Sequence, residues 1–282
     1  MTEIKNENKK NQVSRTTKVL LTVLAIILIL IISFITYEVT TVHNKYYIGH
    51  KNLQIPIFVY HNLVEDRNNI QFAYMQTTVH KFEKQITGLM KLGYVPISYQ
   101  DLVDYKNGKK EISKWSFLIT FDDGYEGVYK YAYPIAKKYN IPMAAFEIDE
   151  NVGDPNCFTW EEAKEMKDSG LMSIYLHGLQ HLEYNKEPTK KLVSQTNQAY
   201  KNLTTNLQDN NILKVFTYPY GLYRDDEIVA LANEGYIENL TDNKVNQSKK
   251  LNLNKLHRCY PLSDSVFKIF LKIQYRSIRY GG

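Results

Sequence analysis

Ser116-Phe117-Leu118-Ile119-Thr120-Phe121-Asp122-Asp123-Gly124-Tyr125 is the stretch that decides the fold of this chain. Its apolar run, bounded by turn residues, predicts a strand buried on both faces, as in a parallel α/β sheet. Two adjacent carboxylates turned by a glycine at the end of such a strand are poor for folding. Strand C-termini are where parallel α/β architectures gather catalytic groups. Neighbouring acids also push each other's pKa values apart, so one can hold a metal while the other takes a proton. An ordinary Asp-Gly turn would use the same residues, so the rest of the chain has to decide.

Working outward, short apolar runs alternate with helical patterns. Upstream, Gln54–Tyr60 and Val95–Ser98 read as strands and Gln100–Tyr105 as a short helix. The spacing of Phe82, Ile86, Leu89 and Met90 makes a helix face closed near Gly93. Downstream, a helix is expected around Tyr125–Tyr139 and a strand from Pro142 through Ile148. Thr159-Trp160-Glu161-Glu162 is a capping box for a helix ended by Gly170. Strands at Leu171–Leu176, Val215–Tyr218 and Leu256–Tyr260 alternate with helices at Thr189–Leu207, Asp225–Asn233 and Ser263–Tyr275. Interleaving of this kind argues for one parallel α/β sheet or barrel.

His177-Gly178-Leu179-Gln180-His181 follows the Leu171–Leu176 run. Two imidazoles four apart on one helical turn would share a face and chelate one ion. With one Asp they make a His₂-carboxylate set open to water and substrate, which suits catalytic Zn²⁺. Tyr60-His61 lies at another predicted strand end, where a lone histidine is ordinarily a core or surface residue. Phe216-Thr217-Tyr218-Pro219-Tyr220-Gly221 is an aromatic strand closed by a turn. Backbone N–H groups of such a turn can face a developing oxyanion.

The N-terminus sets the compartment. Val19–Tyr37 carries no charge over 19 residues, a length of about 28 Å as a helix and enough for a bilayer core. No small-x-small cleavage site follows it, so a retained anchor is expected rather than a signal peptide. Lys5, Lys9, Lys10, Arg15 and Lys18 against Glu3 and Glu7 leave residues 1–18 at +3 of the total +5. That asymmetry places residues 1–18 in the cytoplasm, 19–37 in the membrane and the remainder outside. Residues 38–52 read as a stalk and 53–282 as a single domain. A net charge this mild gives no reason to expect nucleic acid. Cys157 and Cys259 allow one bridge or two packed thiols.

Tyr60-His61, Thr120-Phe121-Asp122-Asp123-Gly124-Tyr125, His177-x-x-x-His181 and Tyr218-Pro219-Tyr220-Gly221, in that order, resemble the polysaccharide deacetylase family. The closest likeness is to its exported branch acting on poly-β-1,6-N-acetylglucosamine of bacterial biofilms, and it runs from about Ile55 to Val266. The resemblance implies an irregular (β/α)7-type barrel with one divalent metal at the strand ends, Zn²⁺ by preference. By similarity, Asp123, His177 and His181 hold the ion, Asp122 is the general base and His61 the general acid. The Tyr220 N–H, in the Tyr218-Pro219-Tyr220-Gly221 turn, joins in stabilising the oxyanion, and Arg258 supports the acid–base groups. The implied partners are an N-acetylglucosamine polymer, the membrane through residues 19–37, and polysaccharide export machinery.

Three positions depart from the family's pattern. Leu176 and Gly178 flank the first histidine where the family often has Ser and Thr, and loss of those hydroxyls is expected to weaken metal binding or alter its geometry. Glu147, in Met143-Ala144-Ala145-Phe146-Glu147-Ile148, reads either as an inward charge near the site or as an outward residue of no consequence. The expected activity is metal-dependent N-deacetylation of the biofilm polymer. Alternatives are peptidoglycan N-acetylglucosamine deacetylation, a catalytically silent glycan-binding or scaffold protein, and an acetyl-xylan-type O-esterase.

Overall fold

The computed structural model describes residues 15–42, 54–66, 75–261 and 264–280. Two compact units are present, Met1–Asn44 and Lys45–Gly282. The first is helix α1 (Arg15–Val42), whose Thr17–Phe34 window is long and apolar enough to cross a membrane, a test that a signal sequence also passes. The expected tail up to residue 14, and the expected stalk from 43 to 52, lie outside the described residues.

The second unit begins with β1 (Gln54–Ile55) and β2 (Ile57–Tyr60), separated by Pro56, which has no N–H to give a ladder. β3 (Asn62–Val64) pairs with β4 (Gln76–Thr78). Then follow α2 (Val79–Lys91), β5 (Val95–Pro96), α3 (Tyr99–Lys106) and β6 (Ser116–Phe121). A π-helical turn, Val128–Ala132, leads into α4 (Tyr133–Tyr139) and β7 (Met143–Glu147). After these come α5 (Trp160–Asp168), β8 (Met172–Leu176), α6 (Thr189–Asn206), β9 (Val215–Thr217) and α7 (Asp225–Asn233). β10 (Ile237–Thr241), β11 (Asn246–Gln247), β12 (Leu256–Arg258) and α8 (Val266–Tyr280) complete the unit.

Seven strands run in the order β12-β10-β9-β8-β7-β6-β2, with β5 added on β6, and all their pairings are parallel. Val59 N–H donates to Cys259 O at 3.0 Å and Cys259 N–H to Ile57 O at 2.9 Å, which brings the two ends of the sheet together. The result is the nearly closed seven-stranded barrel that the resemblance implied.

Period-two alternation assigns each wall residue a face. Phe146 packs inward on Tyr99 and Tyr175, and Tyr99 donates inward to Asn239 Oδ1 at 2.7 Å. Glu147 and Glu238, one residue away from these, therefore point out of the lumen, yet both are completely buried. Cys157 and Cys259 are both free thiols.

Candidate active site

Strand β6 is buried along its whole length, and Asp122 N–H continues its ladder to Tyr60 O at 2.9 Å. The next two residues, Asp123 and Gly124, both take φ 71°. Left-handed backbone costs a non-glycine residue about 1–2 kcal/mol, so the turn at Asp123 is strained, as functional turns often are. It sends two consecutive carboxylates to different partners.

Asp122 points to Arg258, whose guanidinium grips both of its oxygens at 2.7 Å. Arg258 has no solvent exposure. It also donates to Thr241 Oγ1 at 2.8 Å and lies over the Phe146 ring at 5.4 Å. Asp123 Oδ1 faces His177 Nε2 at 3.3 Å and His181 Nε2 at 3.5 Å. One ligand atom from each of Asp123, His177 and His181 lies within 4.8 Å of the others.

The two histidines do not share a helical turn. His177 directly follows β8, held by its N–H to Glu147 O at 2.6 Å, and Gly178 takes φ 105°, which no helix can hold. The chain folds back as an irregular turn whose carbonyls pair with the strand β7 exit: Asp149 N–H donates to Gly178 O and Glu150 N–H to Leu179 O, both at 3.1 Å. A Cβ at residue 178 would stand 2.8 Å from Gln180 O and 3.1 Å from Tyr184 Oη. The departure at Gly178 is thus a requirement of this turn.

A cavity of about 240 Å³ joins these groups: Asp122, Asp123, His177, His181 and His61 line it. Tyr218, Tyr220 and Gly221 form a further side; Pro219 is buried and is not part of the lining, and Arg258 stands behind Asp122. Tyr220 takes φ 60° inside a turn closed by Gly221 N–H to Tyr218 O at 3.0 Å, and its ring lies 4.3 Å from that of His181. Met75, Thr241 and Tyr260 also line the cavity, and sequence reasoning gave none of them a role. Tyr260 lies parallel to His61, with ring centroids 6.1 Å apart and planes 7° apart. Thr241 ends β10, a strand with no apolar alternation to announce it.

The family model described as polysaccharide deacetylase matches residues 109–238. That stretch is a polysaccharide deacetylase domain. The deacetylase domain is 29% identical over 211 residues to the protein YxkH of Bacillus subtilis, covering 74% of this chain and 71% of the relative. It is 33% identical over 168 residues to the poly-β-1,6-N-acetyl-D-glucosamine N-deacetylase of Staphylococcus aureus, covering 55% of this chain and 57% of that protein. Among solved structures, IcaB from Ammonifex degensii superposes with a TM-score of 0.68 at 25% identity, over 78% of this chain and 97% of that one.

Electrostatics separate the groups of this site. Burial works against the Asp122 carboxylate, but the Arg258 charge outweighs it and holds the acid below its usual range. Burial also opposes Asp123, yet the adjacent His177 keeps it at about 2. His61 is lowered by burial, against the pull of Asp122 and Asp123. His181 falls to about 4 through burial and then the neighbouring His177. For His177, burial is overcome by the carboxylates and the imidazole's pKa rises.

The donor set fits a divalent cation. His177 Nδ1 lies 2.9 Å from Thr217 O and so carries the proton of the neutral ring, which leaves the Nε2 lone pair directed at Asp123. Asp123 Oδ1 is buried and has no hydrogen-bond donor among the described residues. An orphaned carboxylate oxygen beside two imidazole nitrogens is what tetrahedral N/O ligation requires.

Proposed function

We propose that this deacetylase hydrolyses N-acetyl groups from N-acetylglucosamine residues of an extracellular polymer, poly-β-1,6-N-acetylglucosamine of biofilms, with one Zn²⁺ held by Asp123, His177 and His181. The observation that carries the reading is the convergence of that ligand set, the Arg258-paired Asp122 and His61 on one cavity. The printed activity of the Staphylococcus aureus relative supports the choice of polymer.

An acetamide needs an activated water, a polarised carbonyl and a proton for the departing nitrogen. The divalent cation supplies Lewis acidity, polarising the carbonyl and easing deprotonation of water. Asp122, kept ionised by Arg258, takes the proton from water as general base. The bidentate grip occupies one lone pair on each Asp122 oxygen and fixes the plane of the carboxylate. His61 stands across the cavity as the acid that protonates the amine. Burial lowers its pKa, which makes its imidazolium the stronger proton donor. The Tyr220 N–H, fixed by its left-handed turn, serves the developing oxyanion. Freed amines make the polymer cationic and hold it to anionic cell surfaces.

In this reading Val19–Tyr37 is a retained single-pass anchor with residues 1–18 in the cytoplasm, residues 38–52 a stalk, and 53–282 the extracellular catalytic domain. Acetate release by the full-length chain in detergent, from β-1,6-linked N-acetylglucosamine oligomers and from peptidoglycan strands, tests it. We expect release from the β-1,6 oligomers, loss with chelator, and recovery on adding Zn²⁺. Asp122→Asn and His61→Ala are expected to lower kcat by about 10²–10⁴-fold each. Preference for peptidoglycan would replace the polymer, and release indifferent to both variants would end the mechanism.

A further inference from the structure

Helix α8 closes the domain with an outer face that no described element covers. Ile269 and Ile273 are buried beneath it, while Phe267 is 58% and Leu271 47% exposed. The helix is seated on α2, where Val266 Cγ2 lies 2.4 Å from the place a Cβ at Gly88 would occupy, so only glycine admits it there. Residues 266–280 carry Lys268, Lys272, Arg276 and Arg279 and no acidic residue. Where the helix begins, a cleft of about 370 Å³ is lined by His80, Lys81, Lys84, Gln85, Asp264 and Val266. The acids nearby are engaged: Asp264 pairs with Lys272, and Glu83 of α2 with Lys138 at 2.7 Å.

Exposed Phe and Leu one turn apart, flanked by lysines, are the marks of a helix that lies in a lipid interface. A second copy of this chain is a poor occupant, since a two-fold contact would set this basic face against itself. We propose that the outer face of α8 and the adjoining cleft dock on the anionic headgroup layer of a bilayer, Phe267 and Leu271 entering the acyl boundary and Lys84 and Lys268 meeting phosphate. This rests on the anchored reading, which gives the domain a bilayer on its own chain. A tether raises effective concentration, so a surface of modest affinity suffices.

The test uses the full-length chain reconstituted in vesicles of phosphatidylcholine alone or with phosphatidylglycerol, each containing brominated phosphatidylcholine. Phe267→Trp places a quenchable reporter on the face, and Val229→Trp, on the exposed side of α7, is the control; emission of the parent chain is subtracted from both. Loss of the Phe267→Trp emission in phosphatidylglycerol vesicles, with the control unchanged, is the expected result. Lys84→Gln and Lys268→Gln, added singly, should each weaken that docking by about fivefold. A chain that floats with the vesicles but shows equal emission at both positions overturns the surface and leaves the anchor standing. Failure to float with either vesicle overturns both, and concentration-dependent dimers formed through Phe267→Trp would assign the face to a second copy.

Discussion

The barrel wall carries buried acids on both of its faces, and the two groups behave oppositely. At the lumen and rim, Asp122 and Asp123 stay ionised although burial opposes them, because Arg258 and His177 are in contact. On the outer face, Glu147 has both carboxylate oxygens without a hydrogen-bond donor among the described residues, and burial, reinforced by Asp149, holds its pKa well up. Glu238 accepts from the Tyr218 hydroxyl, and burial pushes it to about 8. All are shielded from water; only those beside a guanidinium or an imidazole are held below the usual carboxylate range. Depth therefore does not decide the charge of a buried acid in this fold, and a basic partner does. Of the two positions its sequence allowed, Glu147 takes the outward one, fully buried behind the wall with its pKa held well up.

Removing that partner should produce the largest effect. Arg258→Met leaves Asp122 buried and unpaired, a change that costs about 3–5 kcal/mol of stability at neutral pH. In the parent, the lowered Asp122 pKa gives stability that is present above the ordinary carboxylate range and lost as pH falls through the folded value. In the variant, Asp122 should resemble Glu147, with its proton retained to higher pH. The acid limb of kcat against pH should move upward, together with a fall in urea midpoint. An unmoved limb would show that the arginine supports the fold and leaves the base alone.

A second test concerns the turn between the two histidines. Gly178→Thr restores the hydroxyl that the resemblance led one to expect there, and on the sequence alone it should tighten metal binding. Positive φ and the 2.8 Å approach to Gln180 O predict the reverse. Strain of about 1–3 kcal/mol should displace His181 and lower Zn²⁺ affinity in a chelator competition. Tighter binding by the Thr variant would mean that the turn can be rebuilt.

That reversal shows how far the sequence could be read. Strand β6 and its paired aspartates, the histidines after β8 and the aromatic turn after β9 were legible because strand-end chemistry is local and breaks an apolar run. The geometry joining them was less so. The His-x-x-x-His spacing suggested a helix, whereas a positive-φ glycine makes an irregular turn. Strand β10 went unseen, since Ile237-Glu238-Asn239-Leu240-Thr241 buries a Glu and an Asn that accept hydrogen bonds from the distant Tyr218 and Tyr99. With β10 hidden, Thr241 had no position, and the place of Tyr260 beside His61 depends on the β2–β12 closure, which no local pattern encodes.

The smallest predicted effect tests the outer-face acids. A folded pKa of about 8 for Glu238, against about 4.3 in the unfolded chain, means that the folded state binds more protons between those values. Its stabilising contribution is complete below the unfolded value and is lost as pH rises towards 8. Glu147 acts in the same direction. Glu238→Gln keeps an acceptor for the Tyr218 hydroxyl and removes the titration, so the decline in urea midpoint from pH 5 to pH 8 should be shallower than in the parent. Acetate release should be little changed, because Glu238 lies on the side of the wall away from the cavity. An unaltered pH slope would show that Glu238 is ionised in the folded protein, and would erase the contrast between the two faces.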